Sequence, residues 1–289
     1  MFDFIARPLG QFLFFIYNSI AFHNYGIAII IFTVIVKLIL LPLTIKQYRS
    51  TAKMQEIQPQ IQEIQKRYKN DREKLNQELM KLYQEHNVNP AGGCLPLLIQ
   101  MPILFSLFYV ITQPLKFMLG KTAEQIQTLV DFVSTHITTG FYKQIDVLNF
   151  FSKNPDKLSQ VGDILKPNEI ISMDFLGINL SVTPTFDPKL LFGPQAATYL
   201  PLLLIPILGV VTTYISARMS MPTRSQDNKN AAKATSNSMM YIGPIMTLIF
   251  SFQLPAGVGI YWIAGYVFQI FQQLYINKHV MKKKEVATK

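Results

Sequence analysis

Few of the side chains that usually carry chemistry occur in this chain. Among 289 residues there are one cysteine, Cys94, and four histidines, His23, His86, His136 and His279, with no histidine at a metal-ligand spacing from cysteine, aspartate or glutamate. Nucleophile-elbow, zinc-protease, Walker A and dinucleotide-binding signatures are absent. The expectation is a protein that is not an enzyme, with no metal and no cofactor. A lone cysteine permits no internal disulfide. The conspicuous residue is Lys37. It lies inside the apolar run Tyr25–Leu43, YGIAIIIFTVIVKLILLPL, with six residues, Leu38–Leu43, before the next polar side chain. A lysine placed in hydrocarbon costs about 2.5–3.5 kcal/mol on insertion scales. It is kept there only if it faces a wet cavity, a partner, or the headgroups by snorkelling. Thr33, Lys37 and Thr44 fall within about 40° on one face of a helix, so one side of this element is polar and the rest is not.

The elements around Lys37 read as those of a polytopic membrane protein. Hydrophobic residues make up 49% of the chain, charged residues 15%, and the net charge is +10. Residues 1–23, aromatic but interrupted, are predicted to form an interfacial helix, with a short span as the alternative; no cleavable signal is legible. The first span is 24–45. Segment 46–88 is polar, with Met54, Ile57, Ile61, Ile64 and Tyr68 spaced as one helical seam and Leu75, Leu79 and Leu82 as a second. It predicts a helical hairpin outside the bilayer, kinked at Pro59 and with Asn70 and Glu73 as a capping box. Further spans are expected at 94–118, 196–217, 238–254 and 257–276. A loop of short helices at 119–195, a short basic loop at 218–237 and a basic tail at 277–289 complete the chain.

Charge orients these elements. The hairpin carries nine Lys/Arg, the 217–237 loop four and the tail five, against eight on the opposite side together with nine acids. The excess places hairpin, short loop and tail in the cytoplasm and the N-terminus outside. Lys37 is the cation left over, and no Asp or Glu falls within a span.

The stretches NYGIAIIIFTVIVKLILLPLT (Asn24–Thr44), NPAGGCLPLLIQMPI (Asn89–Ile103), FLGINLS (Phe175–Ser181) and PAGVGIYWIAGYVFQIFQQ (Pro255–Gln273) resemble, in order and spacing, the YidC/Oxa/Alb family of membrane protein insertases. The resemblance implies an all-α fold: five transmembrane helices around a hydrophilic groove open to the cytoplasm and to lipid, plus a cytoplasmic helical hairpin. It implies insertion and chaperoning of nascent membrane proteins in the bacterial cytoplasmic membrane, alone or with the Sec translocon and the ribosome. Lys37 matches the family's groove arginine, a departure that retains charge but loses the five-donor fork. Tyr261 and Trp262 match groove-lining aromatics. Thr33 and Gln100 join them as groove candidates. Arg49, Lys53, Lys66 and Arg67 of the hairpin and Lys282, Lys283 and Lys284 of the tail are candidate partner contacts. Set against the resemblance, neither the large extracytoplasmic domain of Gram-negative members nor a lipoprotein-type cysteine is expected here.

Each residue also has a plainer reading. Lys37 snorkels; Thr33 and Gln100 bond between helices; Tyr261 and Trp262 form an interfacial belt; Gln269, Gln272 and Gln273 solvate a helix end; Cys94 is a small packed residue. The tail lysines anchor topology, and three of them give little affinity for nucleic acid, so no specific nucleic acid is expected. The competing function is a small-solute transporter or channel. Against it stand the lack of inverted repeats and of an intramembrane acid for ion coupling.

Overall fold

The computed structural model describes residues 3–89, 95–220, 232–276 and 278; Cys94 and Lys282, Lys283 and Lys284 lie outside them. The described chain is mostly helical. Helix α1 (Asp3–Ser19) buries Ala6, Gly10, Leu13, Ile16 and Tyr17 and leaves Phe4 and Phe15 exposed. It packs on α2 (Tyr25–Ile39) and α6 (Leu95–Thr112). Its start is also tied to α7 (Pro114–Phe117), where Lys116 Nζ donates to Asp3 at 2.8 Å and holds that carboxyl below its usual range.

Asn24 opens α2, its side-chain oxygen accepting from the Ile27 N–H at 3.0 Å, the standard use of an N-cap. The apolar run 25–43 is not one straight helix. It ends at Leu40 and resumes as α3 (Leu41–Glu56) after a bend of 61°. Pro42 accounts for this, because it has no N–H to offer Leu38 and its ring would clash with that carbonyl. Thr44 therefore lies beyond the bend, its hydroxyl turned back onto Leu40 O at 2.8 Å, and does not extend the Thr33–Lys37 face.

The polar segment forms α4 (Gln58–Arg67) and α5 (Arg72–Glu85). Ile57, Ile61, Leu82 and Val88 close a small core of their own between them. His86 at the end of α5 meets Gln60 at the start of α4, so the two helices run antiparallel. Pro59 sits in the first turn of α4, where a missing N–H costs nothing, so it begins a helix instead of kinking one. The cap of α5 is Asp71, not Asn70: its carboxylate accepts from Lys74 N–H at 3.0 Å.

Residues 119–195 hold α8 (Ala123–Ser134), α9 (Lys143–Lys153), two 3-10 turns, a minimal hairpin of β1 (Asp174–Phe175) and β2 (Ile178–Asn179), and α10 (Pro188–Leu191). The hairpin turn places Leu176 and Gly177 at φ 52° and 78°, the conformation a two-residue turn demands. Then follow α11 (Ala196–Leu202), α12 (Leu204–Ser220), α13 (Ala232–Ser251) and α14 (Ala256–Ile276).

Helix α12 packs on α13 and α14, and α14 on α2. Small residues and hydroxyls make these approaches close, with Thr213 and Thr247 Oγ1 at 3.2 Å across α12 and α13. Outward faces are apolar: Leu204, Ile207, Leu208 and Val211 on α12 and Ile242, Ile245 and Ile249 on α13 are exposed. Among the described residues one helical stretch, Ala196–Ser220, 25 residues, is by itself long and apolar enough to cross a bilayer, and the bent pair at Leu40 makes a second. The segment 94–118, expected as one element, divides at Gln113 where Pro114 starts α7.

Candidate functional site around Lys37

Three helices place three side chains in contact. Lys37, on the last turns of α2, is half-buried and reaches Gln100 Oε1 of α6 at 3.5 Å, a long contact. The Gln100 amide in turn donates to the Tyr261 hydroxyl of α14 at 2.6 Å. The lysine stem lies against Gly265, one turn after Tyr261: a β-carbon there would sit 3.5 Å from Lys37 Cε and 4.0 Å from Nζ. The lysine stem thus packs against the α14 backbone at Gly265, and Tyr261, 2% exposed, has its hydroxyl within reach of Gln100 beside it. None of the ion pairs among the described residues includes Lys37. Among the described residues, the polar group that meets it is the neutral amide oxygen of Gln100.

The other candidates separate. Thr33 is fully buried one turn above Lys37, but its hydroxyl is spent on its own helix, donating to Ile29 O at 2.6 Å. Trp262 is rotated about 100° from Tyr261. Its ring lies 5.9 Å from Phe250 of α13, not against Lys37. Arg49 and Lys53 on α3 and Lys66 and Arg67 on α4 are exposed, away from this cluster. Arg67 pairs with Glu63 at 2.9 Å, a solvent-screened pair of small worth.

Three further polar groups of α14, open in the sequence to helix-end solvation or to a functional role, are drawn inward. Gln272 and Gln273 are 7% and 8% exposed, and Gln269 bonds Tyr48 of α3, which also bonds Ser220. The signal was available: Tyr261, Gly265 and Gln272 return to one face of α14 at helical spacing. Among the described residues no three His, Cys, Asp or Glu side chains form a group able to hold a metal ion.

The chain's residues 15–284 match the family described as 60Kd inner membrane protein. The chain belongs to this family. Among similar members, a membrane protein insertase YidC from Clostridium perfringens is 35% identical over 91% of this chain and 84% of its own length. One from Fusobacterium nucleatum is 30% identical over 96% and 98%. One from Syntrophobacter fumaroxidans is 31% identical over 96% of this chain but only 38% of its own length. A solved structure of an active YidC insertase with its first transmembrane domain resolved is similar at a TM-score of 0.51 and 25% identity, covering 95% of this chain and 46% of that one. The 60Kd family is thus one of inner membrane proteins whose named members here are insertases, and this chain shares their helical fold.

Within this site Gln100 holds both neighbours at once. Gln100→Leu is expected to lower insertion activity about threefold to tenfold, since the Tyr261 hydroxyl loses its partner and Lys37 its only polar contact among the described residues. Protease protection of the inserted tail measures it, and an unchanged rate would make Gln100 a packing residue only.

Proposed function

We propose that the protein inserts newly made membrane proteins into the bacterial cytoplasmic membrane and assists their folding. The observation that carries this reading is Lys37: a cation on an apolar helix, tethered to Gln100 and Tyr261 and joined to no carboxylate among the described residues. Five spans provide the frame: α2 with the start of α3, α6, α11 with α12, α13, and α14. They enclose a hydrophilic groove that opens to the cytoplasm and to lipid and contains Lys37, Gln100 and Tyr261, with Thr33 and Trp262 at its margins. The N-terminus lies outside; the α4–α5 hairpin, the basic loop expected at 218–237 and the basic tail face the cytoplasm, as the excess of Lys/Arg predicts.

The physical task is to carry a short polar segment across ~30 Å of hydrocarbon. A groove reaching part-way shortens the dry path. Lys37 attracts acidic residues of the crossing segment, at roughly 4 kcal/mol for contact at an effective dielectric of 20 before desolvation is subtracted. The substrate's own apolar helix then passes sideways into lipid, gaining about 25 cal/mol per Å² removed from water. The ribosome and the Sec translocon are proposed partners of the cytoplasmic face, through Arg49, Lys53, Lys66, Arg67 and the tail lysines.

The test is reconstitution. Liposomes containing the purified protein are expected to protect the acidic N-terminal tail of a small single-span substrate from external protease well above empty liposomes. Protection no greater than in empty liposomes, with solute flux that depends on the protein, would replace this reading with a transporter.

A further inference from the structure

One non-helical strap crosses the end of the bundle opposite the α4–α5 hairpin, and it touches α1, α2, α9, α11 and α14. It runs from 171 to 182 and includes β1 and β2. Ile171, Met173 and Leu180 are buried at 1%, 2% and 0% exposure. Ser172 N–H donates to the Tyr17 hydroxyl of α1 at 3.2 Å, and Asn149 of α9 donates to Ser181 Oγ at 2.9 Å. The carbonyls of Leu180 and Val182 accept from Gly257 and Ala256 N–H at 2.9 and 3.0 Å, satisfying the first free donors of α14. Phe175 fills a notch over α2 that exists because residue 26 is glycine: a β-carbon at Gly26 would fall 2.2 Å from the Phe175 ring.

Beneath the strap the bundle is dry. Tyr25, Ala28, Ile29 and Phe32 of α2 are all 0% exposed. Ile29 of α2, Ile111 of α6, Leu180 of the strap and Gly257 of α14 converge: a β-carbon on Gly257 would meet the other three at 3.4–3.6 Å. Only below this layer do Thr33 and Lys37 begin the polar track. A polar segment drawn to Lys37 therefore meets an apolar seal between it and the far side. The helices around the seal are long and mutually packed. The strap is held by the Phe175 ring in its notch, by the buried side chains of Ile171, Met173 and Leu180, by a few hydrogen bonds and by a two-pair ladder, Asp174 with Asn179 and Phe175 with Ile178. A ladder this short has little stability of its own, so the strap keeps its place through its contacts with the surrounding helices and carries no regular element that must unfold for it to lift.

We propose that the 171–182 strap is the outer gate of the insertase and that Phe175, seated on Gly26, sets its barrier. The inference rests on the insertase reading above. Passage of the polar tail lifts the strap from Gly26 and from the first turn of α14. Its return reseals the end of the bundle.

Two measurements test this, both in a Cys94→Ser background. In the first, Val182→Cys and Ala256→Cys allow the strap to be locked to α14 by oxidation. The locked protein is expected to translocate an acidic tail at least about tenfold more slowly than the same protein after reduction. Equal rates in the two states would overturn the gate. If the reduced protein inserts no better than empty liposomes, the insertase reading fails, and the second measurement still decides the seal. Ile29→Cys is treated with a membrane-impermeant maleimide from the strap side, without substrate. Adding Phe175→Ala is expected to raise the labelling rate at least about tenfold, as local opening becomes easier. A rate unmoved by Phe175→Ala would show that the strap does not close this path.

Discussion

Lys37→Ala is expected to reduce insertion of substrates with acidic translocated tails by about tenfold to a hundredfold, equivalent to roughly 1.4–2.7 kcal/mol of lost attraction. That is a fraction of the roughly 4 kcal/mol contact energy at an effective dielectric of 20, as it must be when both charges give up water to meet. The loss is selective. Neutral tails gain nothing from a positive charge and are expected to insert nearly as well into the alanine variant. Lys37→Arg should retain most activity, because the position needs a cation beside Gln100. Protease protection of acidic and neutral tails in proteoliposomes, run with all three proteins, checks this. Equal insertion of acidic tails by wild type and Lys37→Ala would reduce Lys37 to a snorkelling residue.

A large structural effect is expected at Gly10, where two helices meet backbone to backbone. A β-carbon there would lie 2.4 Å from the Phe117 carbonyl oxygen and 2.7 Å from its carbon, so α1 meets the backbone of α7 directly. Backbone cannot yield by rotating a side chain. Gly10→Ala is expected to cost about 1–3 kcal/mol, the usual range for overpacking, and Gly10→Leu more, because α1, with its buried Leu13 and Tyr17, must move off Phe117 of α7. Thermal unfolding in detergent should show a lowered midpoint in that order, with earlier proteolysis of residues 3–19. An unaltered midpoint for Gly10→Leu would contradict this close approach.

Much of the helical framework is legible without coordinates because its causes are local. The α4–α5 seam is written in the spacing of Ile57, Ile61, Leu79 and Leu82, and the start of α2 in Asn24 ahead of an apolar run. The anomaly of Lys37 is legible for the same reason: one charge in an apolar sequence has few physical excuses. The break at Leu40 was also encoded, in Pro42, but length and hydropathy alone read through it.

What tertiary structure decided is which of the polar candidates meet. Gln100 and Tyr261 are 161 residues apart, and nothing local joins them. Trp262 follows Tyr261 in sequence, yet a 100° step turns it towards Phe250. Thr33 shares the Lys37 face but bonds its own backbone, a choice open to any buried helical threonine. The strap is the clearest case. FLGINLS is a recognisable stretch, but its work depends on an absent side chain at Gly26 and on free amides at the start of α14. By itself the sequence determined the helices, their charge asymmetry and one misplaced cation, because periodicity and solvation are properties of a segment. The contacts of that cation and the closure of the bundle end needed the fold, because they are set by distances between segments that no local pattern records.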